Sequence, residues 1–183
     1  KALETRTNKR LVILEGVVDY TPYAVKLLNE LAETLPKNIN IEIYGKFENK
    51  ANQNKLNNRL QYKGFLNREK VYDVFFGAVY LSLDINPACP NTVAEAMACG
   101  APIVAFNTGA LPELVDETCG KIVPYGSSPW DLEYPDVKKL KEAILKLFSN
   151  YNIYSKNVYK KANQSYNIQD MFDSYSSVIE EVI

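Results

Sequence analysis

One short run holds most of the residues that could do chemistry. Pro87 to Gly100 reads PACPNTVAEAMACG: a proline-stiffened turn, then alanine-rich helix formers, with a lone carboxylate at Glu95. The pattern predicts a helix over Thr92 to Cys99, stopped by Gly100 in the left-handed position that ends many helices. A helix that opens just after a strand presents unpaired N–H groups and the positive end of its dipole, which together bind phosphate. The turn before Thr92 is such a place. Glu95 has two readings. Thr92-Val93-Ala94-Glu95 fits a capping box, worth roughly 1 kcal/mol and needing no function. Alternatively, Glu95 is a carboxylate that accepts hydrogen bonds from a ligand.

The remaining reactive residues exclude more than they offer. The chain has 183 residues and no histidine. That removes Ser-His-Asp and Cys-His mechanisms and most zinc sites, and leaves acid–base work to Asp, Glu, Lys, Tyr, substrate or water. Cys89, Cys99 and Cys119 are odd in number and lack metal-ligand spacing, so they read as reduced thiols of a cytoplasmic protein. No Asp-x-Asp pair stands at a strand end, so neither metal nor cofactor is expected. A net charge of −1 does not suit a general nucleic-acid binder, since phosphate backbones need a basic surface. No apolar run approaches the roughly 20 residues of a membrane span.

These residues need a frame, and the chain supplies one by alternating short apolar runs with helical patterns. Leu11–Leu14 reads as a buried strand ending at Gly16. Val25, Leu27, Leu28, Leu31, Ala32 and Leu35 recur at helical spacing after Pro22, and Pro36 ends that helix. Strands are expected at Ile39–Tyr44, Arg59–Lys63, Val79–Leu83, Pro102–Phe106 and Gly120–Val123. Helices are expected at Arg68–Phe76, around Pro112–Val115, and in three closing segments near Asp136–Phe148, Ile153–Ala162 and Gln169–Val182. The polar stretch KFENKANQNKLNN reads as a loop. The predicted fold is α/β: a Rossmann-like, doubly wound parallel sheet of about six strands with helices on both faces. No repeat or linker divides residues 1–183, so one domain is expected. In such sheets ligands bind beyond the C-terminal ends of the strands. No GxGxxG follows the first strand, so the dinucleotide fingerprint is absent.

The run DINPACPNTVAEAMACGAPIVAFNTGALPELV resembles the donor-binding half of retaining, family-4-type glycosyltransferases of the GT-B fold. Its EAMACG, the following strand, the glycine-containing turn and the PELV helix start carry the likeness. IEIYGK and LQYKGFLNREKVYDVFFGAVYLSLD echo it more weakly. The resemblance implies the C-terminal domain of a two-domain enzyme that binds a nucleoside-diphosphate sugar and transfers the sugar with retention. It implies that Glu95 accepts from the ribose hydroxyls and that backbone N–H groups near Asn91, Thr92 and Val93 hold the diphosphate. The main chain at Phe65 and Leu66 would face the base, Gly16 would let phosphate or sugar approach the backbone, and Gly109 would lie in a turn near the donor. The N-terminal acceptor domain is expected to lie outside this chain, which starts KALETRTNKR without an initiator Met. Isolated, the chain is expected not to transfer sugar. The acceptor would be a glycan or lipid-linked molecule, and the full enzyme cytoplasmic or peripheral at the inner membrane face.

The sequence departs from the family pattern at three positions. Pro87 stands where the family has a first Glu, and Val17 and Pro22 stand where it has an Arg and a Lys that neutralise the diphosphate. Lys26 is the nearest cation and reads as either solvated or phosphate-binding. A second function is therefore kept: an inactive glycosyltransferase-like module that acts in binding or assembly. Glu113 suits the first turn of a helix. Trp130, Tyr125 and Tyr134 sit in a loop with Pro129 and Pro135 and either cover a ligand or pack against the closing helices; packing is the expectation.

Overall fold

Leu11, Val12 and Ile13 are fully buried and alternate between two cores, Leu11 and Ile13 facing one and Val12 the other. A strand covered on both faces reads as an unbroken apolar run, which is why this one is legible in the sequence. The computed structural model describes residues 9–182. This first strand, β1 (Lys9–Val17), lies near the centre of a sheet completed by β2 (Ile39–Lys46), β3 (Leu60–Gly64), β4 (Ala78–Leu81), β5 (Ile103–Phe106) and β6 (Gly120–Val123). The order is β3-β2-β1-β4-β5-β6, and each neighbouring pair is parallel. This is the expected Rossmann-like sheet.

One face is covered by α1 (Ala24–Thr34) and α6 (Val137–Ser149), whose Leu27, Leu28, Leu31, Leu140, Ile144 and Leu147 are almost completely buried. Each such side chain contributes about 1.5–3 kcal/mol by leaving water. The other face carries α3 (Val71–Phe75), α4 (Asn91–Ala98) and α7 (Tyr151–Ser165), through Phe75, Val93, Ala96, Met97, Val158 and Ala162. Two short helices, α2 (Lys50–Gln53) and α5 (Leu111–Leu114), sit in connections, and α8 (Ile168–Val182) closes the described chain.

The structure corrects three expectations. The polar stretch after β2 is not all loop: Asn49 caps α2 by accepting from the Ala51 N–H at 2.9 Å. Trp130 does not pack; it is 81 % exposed, whereas Tyr125 and Tyr134 do join the core on the α1–α6 face. The third concerns α4, which starts at Asn91 with Pro90 in the capping position and no side-chain cap. Thr92 is therefore already inside the first turn, and the Thr92–Glu95 capping box does not form. Gly100 does take the left-handed conformation, with φ of +74°.

This topology fixes where a site can lie. The chain leaves β1 toward β2 and β3 on one side and returns to β4 on the other. Neighbouring β1 and β4 therefore send their following segments apart and leave a crevice at their C-terminal ends.

Candidate functional site

A cavity of about 250 Å³ occupies that crevice. Glu15, Gly16, Val17, Tyr20, Thr21 and Asp84 are among the residues that line it. Glu15 is half-buried in the cavity wall, and its Oε1 accepts the Leu83 N–H at 2.7 Å. Burial pushes its carboxyl up to about 8, against the opposing hydrogen bond from Leu83 and with a further push from Asp84. Burial raises the Asp84 carboxyl as well. No lysine or arginine lines the cavity. A Cβ built on Gly16 meets nothing within 4 Å, so the wall there is open backbone.

Beneath the cavity runs a polar layer centred on Tyr80. Its hydroxyl donates to the Leu14 carbonyl at 3.2 Å. It is also held by Ser82 and Thr92 and lies within reach of the charges of Glu15 and Asp84, while complete burial keeps it neutral far above the ordinary tyrosine range. Through this hydroxyl the ends of β1 and β4 and the first turn of α4 become one assembly. Thr92, expected to cap its helix, is spent here instead.

At the start of α4, the N–H groups of Asn91 and Thr92 have no acceptor among the described residues, while that of Val93 donates to the Pro90 carbonyl at 3.0 Å. Of the three amides expected to meet a diphosphate, two are thus available and the third is engaged. Glu95 follows Thr92 on the same side of the helix, is partly exposed, and takes no hydrogen bond or ion pair from the described residues. Two unpaired N–H groups and an unpaired carboxylate one turn apart match an anion next to a hydroxyl-bearing group.

Two loops frame this helix end. Gly109 has φ of +52°, and a Cβ there would sit 2.4 Å from the Pro87 carbonyl oxygen. The Ala110 N–H donates to that same carbonyl at 2.8 Å, and the Asn86 N–H donates to Thr108 Oγ1 at 3.2 Å. Gly109 thus locks the turn after β5 against the turn after β4. Pro87 is buried in this contact. Lys26 holds its ammonium 4.0 Å from the centre of the Tyr134 ring, which draws it away from the phosphate role considered for it. Glu113 is exposed in α5. Phe65 and Leu66 follow the edge strand β3. Phe65 is 66 % exposed with Lys46 4.9 Å over its ring, and Leu66 packs on the α4 side of the sheet.

Residues 12–150 match the model of the family "Glycosyl transferases group 1". The chain belongs to that family. Among solved structures it is similar to sucrose-phosphate synthase from Thermosynechococcus elongatus, with a TM-score of 0.76, 18% identity, and coverage of 96% of this chain and 46% of the other. It is also similar to HepE from Anabaena in complex with UDP-glucose, at TM-score 0.72 and 16% identity over 98% of this chain and 50% of the other. The pneumococcal O-GlcNAc transferase GtfA in complex with UDP and GlcNAc gives TM-score 0.69 and 17% identity over 97% and 37%. At these identities the likeness is one of fold, that of GT-B glycosyltransferases. This chain spans half or less of the length of each. No curated protein matches its sequence.

Two residues at the site of this glycosyltransferase chain were not singled out from the sequence. Glu15 is a charge ending an apolar strand just before a glycine, which in hindsight is the available signal. Asp84 is likewise a charge that follows the apolar run of β4. Among the described residues no group of three or more His, Cys, Asp or Glu is placed to hold a metal, and no helix is long and apolar enough to cross a membrane.

Proposed function

We propose that this chain is the donor-binding, C-terminal half of a two-domain glycosyltransferase. It binds a nucleoside-diphosphate sugar, and the full enzyme transfers the hexosyl group with retention to a glycan or lipid-linked acceptor held mainly by the N-terminal domain. The reading places the full enzyme in the cytoplasm or at the inner membrane face. It rests on one observation above all: the free N–H groups of Asn91 and Thr92 stand one turn from the unpaired carboxylate of Glu95, beside the β1–β4 crevice. In this reading the two amides hold the diphosphate, Glu95 takes the ribose hydroxyls, Gly16 and Gly109 shape the walls, and the chain at Phe65 and Leu66 borders the base. Family membership, and similar structures solved with UDP or UDP-glucose, support it.

A second reading is favoured by a different observation. The cavity offers carboxyls and no cation, and Pro87 is buried in a loop contact. A chain without charges for a departing diphosphate suits a non-catalytic module that binds or assembles.

Thermal unfolding against UDP, other nucleoside diphosphates and their sugars separates the two. A ligand at about 100 times its Kd adds roughly 2.7 kcal/mol, and each kcal/mol moves Tm by about 2–4 °C in a chain of this size. A shift of several degrees that Glu95→Ala abolishes supports the donor site. No shift with any nucleotide removes the donor reading for the isolated chain and leaves the binding module.

A further inference from the structure

We propose that Asp19 is a positioning residue: it staples the Gly16–Thr21 wall of the crevice to the turn after β2, and so sets nucleotide affinity without touching the ligand. The inference rests on the donor reading for the identity of that ligand.

The wall starts from an irregularity in the sheet. Leu14 pairs with Tyr44 and Val17 with Lys46, so Glu15 and Gly16 together oppose Gly45 alone. Such a bulge takes residues out of the ladder and re-aims their side chains. A Cβ built on Gly45 would sit 2.1 Å from the Glu15 carbonyl oxygen, so β2 presses on the bulge itself. The chain then leaves β1 with the Val18 N–H donating to the Lys46 carbonyl at 2.8 Å. α1 begins only at Ala24. No strand or helix holds the residues between.

Asp19 supplies the hold. Of the residues from Glu15 to Thr21, all but Asp19 line the cavity. Its carboxylate turns the other way. Oδ1 accepts the Glu48 N–H at 2.8 Å, and Oδ2 accepts the Asn49 N–H at 3.1 Å and the side-chain amide of Asn52 at 3.0 Å. Burial pushes this carboxyl up, but the hydrogen bonds from Asn52, Glu48 and Asn49 outweigh it and hold it below its ordinary value. Hydrogen bonds to an ionised acceptor are roughly twice as strong as neutral ones. The anchor is itself fixed, because Asn49 caps α2 through the Ala51 N–H.

The staple also joins two borders of the proposed site. Lys46, which takes the Val18 N–H on its carbonyl, holds its ammonium 4.9 Å over the Phe65 ring. Phe65 belongs to the segment that borders the base in the donor reading. Asp19 therefore fixes the crevice wall relative to that segment from outside the crevice. A wall ordered in advance need not be ordered when the ligand binds, and affinity is gained by that saving.

The test is calorimetry with UDP, well below Tm, on the chain and its variants. Asp19→Ala should weaken UDP about tenfold, and Asp19→Asn, which keeps one acceptor oxygen, about threefold. Asn52→Ala removes one of the three bonds from α2, outside the crevice, and should also cost about threefold; it keeps the test valid if Asp19→Ala does not fold. A loss of stability alone leaves Kd unchanged in a folded sample. Arg10→Met, which weakens the sheet at the other end of β1, should therefore bind UDP like the wild type. Hydrogen exchange at the Val18 amide, which Asp19 does not bond, should quicken in Asp19→Ala as the wall is freed. If the wild type binds UDP and Asp19→Ala binds it equally well, the proposal is overturned and the donor reading stands. Unchanged exchange at Val18, or a loss of affinity as large in Arg10→Met, overturns it in the same way. A wild type that binds no UDP ends the donor reading, and the proposal falls with it.

Discussion

Glu15 accepts the backbone N–H of Leu83 at 2.7 Å, which ties the end of β1 to the segment leaving β4 at the point where the sheet changes direction. The same enclosure makes stability depend on pH. In the unfolded chain this carboxyl titrates near its ordinary 4.5, while in the fold burial moves it to about 8. Between those values the folded state holds a proton that the unfolded state has lost. Its stabilising contribution is therefore complete below about pH 4.5 and is lost as pH rises to about 8, at up to about 1.4 kcal/mol per pH unit. Asp84 faces it and shifts in the same direction, and Tyr80 stays neutral throughout. Glu15→Gln keeps an acceptor for Leu83 and cannot ionise. Tm measured from pH 5 to pH 9 should fall for the wild type and run markedly flatter for the variant. Equal slopes would show that Glu15 is not buried in its protonated form.

Arg10 and Glu42 make a different prediction on the same sheet. The Arg10 Nε and Nη2 donate to the two Glu42 oxygens at 2.8 and 2.7 Å, and Tyr44 donates to the same carboxylate at 3.0 Å. Burial pushes the Glu42 carboxyl up, but the Arg10 hydrogen bonds and charge outweigh it and hold it below its ordinary value. This contribution is present above the unfolded pKa and is lost as pH falls. Arg10→Met strands a nearly buried carboxylate and should cost roughly 3 kcal/mol. Arg10→Met with Glu42→Met should recover most of that loss. Urea midpoints at pH 7 for the two variants check it, and a double variant as weak as the single one would refute it.

What the sequence disclosed follows from physical scale. Strands such as Leu11–Ile13 and Ile103–Phe106 are buried on both faces, so composition alone marks them. The positive φ of Gly100 and Gly109 was legible because only glycine takes it cheaply. The start of α4 was displaced by one residue because Thr92 satisfies the capping pattern, and nothing local reveals that Tyr80, on a neighbouring strand, claims its hydroxyl. Glu15 went unseen for a similar reason. Its enclosure depends on β4 lying beside β1, a contact between residues far apart in the chain. Trp130 misled because large aromatics usually bury, whereas this one is 81 % exposed.

Gly109 tests whether the two turns act as one. A methyl there meets the Pro87 backbone at 2.4 Å, at a φ that alanine takes only with strain. Gly109→Ala should destabilise the chain by about 1–3 kcal/mol. Because Ala110 and Thr108 hold the Asn86–Pro87 turn, hydrogen exchange should quicken at Asn86 and Ala110 more than in β2. A uniform change across the sheet would mean that the loop contact is incidental.

Val17 tests the missing cation. It borders the cavity where the resembled family carries an arginine. If α4 holds a diphosphate, Val17→Arg puts a positive charge on the other side of the crevice, on the wall that Asp84 also lines. One added favourable pair at a partly exposed site is worth up to about 1 kcal/mol, or roughly fivefold in Kd. The gain should fade with salt as the screening length drops from about 30 Å at 0.01 M to about 3 Å at 1 M. Calorimetry with UDP at low and high salt measures both effects. Stronger UDP binding at low salt alone places the diphosphate at the β1–β4 crevice. No gain at either salt concentration means that the nucleotide, if bound at all, lies elsewhere.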